Sequence, residues 1–179
     1  LRERALPIRP GDLTRLLIGS EGTLAIITEA TLRLTPLASG KRTLRATYVD
    51  IAAAAAAVAR IMAQPMTPCA LEYLDGEALR LARNHVGESI PDAGAMLIIE
   101  VDGDPDTLAT AIDAISRAAS GTGLIELHAA HDADEVARLW AARKALSPAL
   151  RTLAPNKINE DVVVPVSRVP ELVAGLKQI

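Results

Sequence analysis

Two glycines bracket a Ser-Glu pair near the beginning of the sequence, in the order Gly19-Ser20-Glu21-Gly22. Glycine adopts the positive φ angles of a tight turn, and its missing Cβ lets backbone amides approach a ligand closely. A phosphate-binding loop of the Walker type needs a Lys and a following helix, and this turn has neither. The carboxylate of Glu21 suits hydroxyls, amines or ring edges better than pyrophosphate. The spacing fits equally an ordinary turn that leads into a strand, so both interpretations stay open.

Arg143 is a second candidate, because helical periodicity places it on an apolar stripe. It stands four residues after Leu139 and three after Trp140, which share one face of a predicted helix. A guanidinium on such a stripe requires an anionic partner, because an unpaired buried charge is too costly. That partner is either a carboxylate of the same domain, such as Glu72 or Glu100, or a substrate carboxylate bound bidentately.

Three histidines and one cysteine complete the set of candidates for chemistry. His128 and His131 form a His-Ala-Ala-His segment, but zinc sites need three or four ligands. We interpret both as polar loop residues and predict no metal site. His85 ends a predicted helix, where a partly charged imidazole is favourable. The single Cys69 cannot form an internal disulfide or a cysteine zinc cluster, and it is consistent with a reducing cytoplasm.

The composition favours a globular chain with an aliphatic core. Of the 179 residues, 50% are hydrophobic and only 2% are aromatic, so Leu, Ile, Val and Ala must fill that core. The net charge of −3 gives no electrostatic reason to bind nucleic acid. No apolar run reaches the ~18 residues of a membrane span, and no secretory signal opens the sequence. We expect a cytoplasmic protein without a transmembrane segment, although peripheral membrane attachment of a longer protein stays open.

The candidate residues lie in two regions of the chain that differ in their pattern of apolar residues. Apolar residues alternate from Leu24 to Leu34, which predicts a strand with one buried face directly after the Gly turn. A stretch with proline, small residues and glycine follows at 36–40 and indicates a linker. We therefore place a domain boundary there and predict domains at 1–38 and 39–179.

Strands and helices alternate in the second region. The predicted strands lie at 42–49, 69–74, 96–101 and 124–128, and the predicted intervening helices at 51–63, 76–85 and 104–119. The strand at 96–101 is apolar on both faces, which is typical of a central strand. This order matches the ferredoxin-like split pattern. We predict an α+β fold in which an antiparallel sheet carries helices on one face.

The string GSEGTLAIIT at 19–28 closely resembles the GSEGTLGIIT signature that closes the flavin-binding domain of FAD-linked oxidases of the vanillyl-alcohol oxidase type. It is most similar to the D-lactate, glycolate and D-2-hydroxyglutarate dehydrogenase branch. In that family the turn and strand pack against FAD, largely through backbone groups. The resemblance implies the same cofactor contacts for Gly19, Ser20, Glu21, Gly22, Thr23, Leu24, Ala25 and Ile26. Ala25 departs from the family, which usually has Gly at this position.

Two later segments also resemble this family. LWAARKALSPAL at 139–150 is similar to its Leu-Trp-x-x-Arg segment, whose Arg binds the carboxylate of the hydroxy acid. The resemblance implies that role for Arg143 and a hydroxyl contact for Ser147. NKINEDVVVP at 156–165 resembles the Lys-x-x-Glu-Asp-Val-x-Val-Pro segment and suggests Lys157 as a further substrate contact, with a solvated Lys as the alternative. The resemblance identifies no catalytic residue within this sequence.

The resemblance implies a fragment of an FAD-dependent 2-hydroxy acid dehydrogenase. Residues 1–38 would end its FAD-binding domain, and residues 39–179 would form a truncated cap domain. In the whole enzyme the hydroxy acid would lose hydride to FAD. The pyrophosphate loop, general base and metal-binding histidines would lie outside this sequence, so we expect the isolated piece to lack flavin and activity. The electron acceptor is undefined.

Two alternatives stay open at this point. A ferredoxin-like module can bind small ligands or form a homodimer without catalysing a reaction, because fold does not fix function. A flavoenzyme of the same superfamily could instead act on another substrate, such as an ether lipid or an aryl alcohol.

Overall fold

The computed structural model of the protein describes residues 12–87, 90–154, 156, 158, 161–176 and 178. The chain divides into two compact units, Leu1–Leu37 and Ala38–Ile179. Within the described ranges, none of the helices combines the length and apolar character that crossing a bilayer demands.

The first unit contains a short helix, α1 (Leu13–Leu17), followed by the glycine turn. The strand expected at 24–34 is not formed, since residues 25–38 belong to no helix or strand. Leu24, Ile26 and Leu34 are 58%, 86% and 86% exposed. A strand needs a neighbour that accepts and donates its backbone hydrogen bonds, and the described part of this unit contains no second strand. The alternating pattern is therefore present without the sheet that it requires.

The second unit is built on a four-stranded antiparallel sheet. Its strands are β1 (Gly40–Tyr48), β2 (Ala70–Asp75), β3 (Ala95–Gly103) and β4 (Leu124–Ala129). They are ordered β2-β3-β1-β4, with β3 hydrogen-bonded to β2 and β1, and β1 to β4. The predicted antiparallel α+β fold is confirmed, and the doubly apolar strand is central as expected.

Helices follow each strand of this sheet. They are α2 (Ile51–Met62), α3 (Gly76–Val86), α4 (Pro105–Ala119), α5 (Ala133–Leu153) and α6 (Val169–Leu176), with a 3-10 turn at Val166–Arg168. The carboxylates of Asp50, Asp75 and Asp132 accept the backbone N–H three residues on, which caps α2, α3 and α5. Helix α4 begins instead with Pro105, whose missing N–H would have no intrahelical partner there.

Strand β3 separates two hydrophobic cores. Leu97 and Ile99 pack with α2 and α4 on one face of the sheet. The sequence predicted all helices on one face, and this is wrong for α3, which lies on the other face. Met96 and Ile98 pack on the opposite face with α3 and α5, which form a further, partial layer. Because a strand that is apolar on both faces must be covered on both, this second layer follows from the composition of β3.

Candidate functional site

The glycine turn has the backbone geometry that its sequence predicts. Gly19 and Gly22 have φ angles of 82° and 77°, and Glu21 between them has 50°. A Cβ added at either glycine would meet no heavy atom within 4 Å, so the positive φ explains the glycines here and steric crowding does not. The Ser20 carbonyl accepts hydrogen bonds from the Thr23 backbone N–H at 2.9 Å and from Thr23 Oγ1 at 2.6 Å.

The residues that follow Ser20 in the turn are exposed. Residues 21–26 are all exposed, and the backbone N–H groups of Glu21, Gly22 and Leu24 make no backbone hydrogen bond to another described residue. Such donors normally find a partner when they are buried. Three backbone N–H groups of the turn therefore have no backbone partner within the described part of the chain.

Helix α5 crosses the second face of the sheet and contacts three of its strands through polar side chains. Glu135 Oε1 lies 2.5 Å from His128 Nε2 on β4. Trp140 Nε1 donates to Glu100 Oε1 on β3 at 2.8 Å. Arg143 Nε donates to Glu72 Oε2 on β2 at 2.6 Å. Helix α5 thus places a carboxylate beside β4, an indole beside β3 and a guanidinium beside β2.

Arg143 lies at the edge of the buried stripe of α5, not within it. The buried residues of this helix are Leu139, Ala142, Ala145 and Ala149. The expectation that Arg143 is buried is wrong, because Ala142 occupies the inward position and Arg143 is turned about 100° from it. Its side chain is 46% exposed and that of Glu72 is 34% exposed. Of the two domain carboxylates considered, Glu72 is the partner and Glu100 is not.

Among the described residues, Glu72 occupies one edge of the Arg143 guanidinium and nothing is bonded to the other. Its Nε is hydrogen-bonded to Glu72, and the described residues supply no hydrogen bond to its Nη atoms. An arginine fork has five N–H donors in one plane, so the Nη edge keeps the geometry that binds a carboxylate bidentately.

The other predicted substrate residues are only partly described. Ser147 lies one helical turn beyond Arg143 and is exposed. Helix α5 continues to Leu153 although Pro148 lies inside it, so the proline does not end the helix after Ser147 as its ring would favour. Lys157 lies outside the described residues.

Glu100 is the most buried acid of this face, at 7% exposure. Its Oε1 accepts hydrogen bonds from Trp140 Nε1 and from Thr43 Oγ1 at 3.2 Å, and its Oε2 accepts from Lys41 Nζ at 3.1 Å. Burial by itself would raise the pKa of this carboxyl, but the hydrogen bonds from Trp140, Lys41 and Thr43 outweigh it and hold the pKa below its usual value. The hydrogen bond between Lys41 and Glu100, together with the negative charge of Glu100, raises the pKa of Lys41.

Sequence reasoning considered Glu100 only as a partner for Arg143 and missed its bond to Trp140. Two signals were available, namely an acid inside the otherwise apolar run Met-Leu-Ile-Ile-Glu-Val and the single Trp of the chain. A buried acid and a partly buried indole each need a hydrogen-bond partner, so pairing them satisfies both.

A cleft of about 660 Å³ opens beside Glu100, between β1 and the loop that follows β4. Its lining includes Lys41, Thr43, Glu100, His131 and Asp132. Arg143 and Ser147 do not line it. The cleft and the exposed guanidinium are therefore separate features of the second unit.

Replacing Glu100 by glutamine should lower the free energy of unfolding by about 1–2 kcal/mol at pH 7, because charge-assisted hydrogen bonds become neutral ones. The pKa of Glu100 is lowered by folding from its usual 4.5, so its stabilising contribution is present above that value. It is lost as the pH falls through the folded-state pKa. Urea unfolding monitored by Trp140 fluorescence should show the free energies of unfolding of the two proteins converging as the pH falls below 4.5. A difference that does not narrow as the pH falls below 4.5 would contradict this assignment.

Comparison with known proteins relates this architecture to one family. A family model for the C-terminal domain of FAD linked oxidases matches residues 37–179. Glycolate oxidase subunit GlcD of Bacillus subtilis is 37% identical over 169 residues, which cover 94% of this chain and 36% of that protein. The GlcD subunit of Escherichia coli K12 is 31% identical, with 95% and 34% covered. A D-lactate dehydrogenase of Anaerostipes hadrus is 29% identical, with 94% and 37% covered.

A solved structure shares the fold. Alkyldihydroxyacetonephosphate synthase superimposes with a TM-score of 0.60 at 21% sequence identity, over 96% of this chain and 37% of that one. The chain thus spans about a third of the length of these proteins, 36% and 34% in the two GlcD subunits. With residues 37–179 matched by the family and the antiparallel sheet in place, the chain belongs to the FAD linked oxidases and contains their C-terminal domain.

Proposed function

We propose that this chain is part of an FAD-dependent 2-hydroxy acid dehydrogenase, which oxidises a hydroxy acid of the D-lactate, glycolate or D-2-hydroxyglutarate type to a keto acid. The observation that carries the proposal is the Arg143 guanidinium, which one carboxylate holds through Nε while 46% of the side chain stays exposed. Relatives named glycolate oxidase subunit and D-lactate dehydrogenase support this substrate class.

In this proposal, residues 1–38 end an FAD-binding domain and residues 39–179 are a truncated cap domain. The partners are the FAD domain of the same chain and a small 2-hydroxy acid.

The glycine turn fits a cofactor that is held through backbone groups. Its amides at Glu21, Gly22 and Leu24 have no backbone partner among the described residues, and its side chains are exposed. We assign residues 19–26 to contacts with FAD, including the departure from the family at Ala25. When bound, the flavin supplies the redox chemistry, and the protein supplies binding and orientation.

The substrate-binding step uses the Nη edge of Arg143. A carboxylate binds this edge through two parallel hydrogen bonds, which fixes both its position and its plane. Glu72 holds Nε and so limits the rotation of the guanidinium before the substrate arrives. Ser147 contributes a hydroxyl one turn further along α5, and Lys157 is proposed as a second cation for the same acid. No residue of this chain is proposed to take the hydroxyl proton.

The proposal is tested by mixing the full-length flavin-loaded protein anaerobically with D-lactate, glycolate and D-2-hydroxyglutarate. We expect at least one acid to bleach the visible flavin absorbance. The matched alcohol without a carboxylate, such as 1,2-propanediol for lactate, should leave the flavin oxidised because it cannot engage Arg143. Bleaching by the alcohol as readily as by the acid, or by an ether lipid or an aryl alcohol instead, would overturn the assignment.

A further inference from the structure

The loop between β4 and α5 gathers two imidazoles and a carboxylate. His128 lies on β4, His131 lies in the loop, and Glu135 lies in the first turn of α5. Their ligand atoms, one nitrogen from each ring and one carboxylate oxygen, all lie within 4.8 Å of one another. The sequence suggested only the two histidines, and the fold supplies the third group.

The backbone of this loop fixes the carboxylate between the two rings. Asp132 caps α5 by accepting the Glu135 N–H at 2.8 Å. Glu135 reaches back and accepts the His131 backbone N–H on Oε2, also at 2.8 Å. This reciprocal arrangement resembles a capping box and holds the Glu135 side chain against the end of β4. Its second oxygen, Oε1, is then directed at His128 Nε2.

The rings are close enough to share a ligand. The His128 and His131 centroids lie 5.3 Å apart, with the ring planes at 78°. Within the described part of the chain, the His131 ring makes no hydrogen bond, so both of its nitrogens are available. His131 is exposed and lies in a loop, which lets the ring turn without disturbing the core.

Charges of both signs surround these residues, and Arg138 and Arg45 line a small pocket with Glu135. The helix N-terminus opposes one, and Arg45 lies opposite His128 in the β1–β4 register. Arg45 is paired with Glu126 at 2.6 Å, which offsets its charge. Asp132, Asp134 and Glu135 then add three carboxylates around the start of α5.

We propose that His128, His131 and Glu135 bind a divalent transition metal ion of the zinc class through two imidazole nitrogens and one carboxylate oxygen. Two imidazoles favour zinc and its neighbours over magnesium or calcium, which prefer oxygen ligands. In a tetrahedral zinc site, with bonds of about 2.0–2.1 Å, neighbouring ligand atoms lie about 3.3 Å apart.

The described geometry needs only side-chain adjustment to reach that arrangement. The His128–Glu135 pair must open from 2.5 Å, and the widest separation must close from 4.8 Å. Three protein ligands leave a fourth position for water or an external ligand, which is the composition of an open zinc site.

The proposal is tested by titrating Zn²⁺ into the chelator-treated full-length protein by isothermal calorimetry. We expect the wild-type protein to bind one more equivalent of Zn²⁺ than His128→Gln or Glu135→Gln, and His131→Ala to weaken that equivalent at least tenfold. Glutamine keeps hydrogen-bonding atoms at positions 128 and 135, so the loop should stay folded. His85→Ala on α3 is the matched control and should bind Zn²⁺ like the wild type.

Unchanged zinc stoichiometry and affinity in all three cluster variants would overturn the proposal. So would the absence of zinc binding by the wild type, or equal binding of Mg²⁺ at these residues. Far-UV circular dichroism and Trp140 emission of each variant establish that lost binding reflects lost ligands and not a lost fold.

Discussion

Replacing Arg143 by leucine in the full-length protein is expected to lower kcat/KM for its 2-hydroxy acid by about 10²- to 10³-fold, which corresponds to about 3–4 kcal/mol of lost interaction. The loss arises because the substrate carboxylate would face an apolar side chain in place of two charge-assisted hydrogen bonds. Arg143→Lys keeps the charge but not the planar fork, so we expect an intermediate loss. Steady-state kinetics with the acid identified by flavin bleaching provide the measurement.

Two further variants separate substrate binding from a purely structural role. Arg151→Leu removes another exposed arginine of the same helix and should leave kcat/KM within about twofold of the wild type, as expected for a surface change away from the site. Glu72→Gln keeps an acceptor for Arg143 Nε but loses its charge, so it should lower kcat/KM less than Arg143→Leu. If Arg143 only pairs with Glu72, Arg143→Leu and Glu72→Gln would each change the free energy of unfolding by at most about 1 kcal/mol and would leave kcat/KM unchanged. That result would contradict the proposed role.

Replacing Ile98 by alanine is expected to lower the free energy of unfolding by about 2–5 kcal/mol. Ile98 is 0% exposed and packs in the second core with Ala142 and Ala145 of α5. These alanines are already small and cannot extend into the vacated space, so a cavity should remain and place the cost in the upper part of that range. Urea unfolding followed by circular dichroism provides the measurement.

The matched control for this change is Ile125→Ala on β4. Ile125 is 55% exposed, so the same chemical change creates no buried cavity there. We expect it to lower the free energy of unfolding by only about 0.5 kcal/mol, mainly through the lost strand preference of isoleucine. Equal destabilisation by the two variants would show that the second core does not hold α5 on the sheet.

The parts of the fold that could be read from the sequence are those set by local pattern. The order of strands and helices follows from periodicity and from caps such as Asp50 and Asp132, and the central position of β3 follows from its two apolar faces. The turn at Gly19 and Gly22 follows from the need for positive φ. Each of these depends on residues close together in the chain.

The parts that could not be predicted depend on partners distant in sequence. The alternation at 24–34 predicts a strand, but it cannot reveal whether a neighbouring strand exists to pair with it. The described part of this unit contains no such neighbour. Large apolar residues mark the predicted stripe and put Arg143 on it, whereas alanines such as Ala142 and Ala145 line the actual contact. The bond between Trp140 and Glu100 spans 40 positions, and no local spacing announces it.

The crossing of α5 over the sheet has a mechanical consequence. Between Glu135 and Arg143 the helix rises about 12 Å, and Trp140 is tied to β3 between them. Because Ala142 and Ala145 also pack this helix into the second core, α5 is held at several points along its length. Its carboxylate, indole and guanidinium therefore keep fixed spacings over β4, β3 and β2.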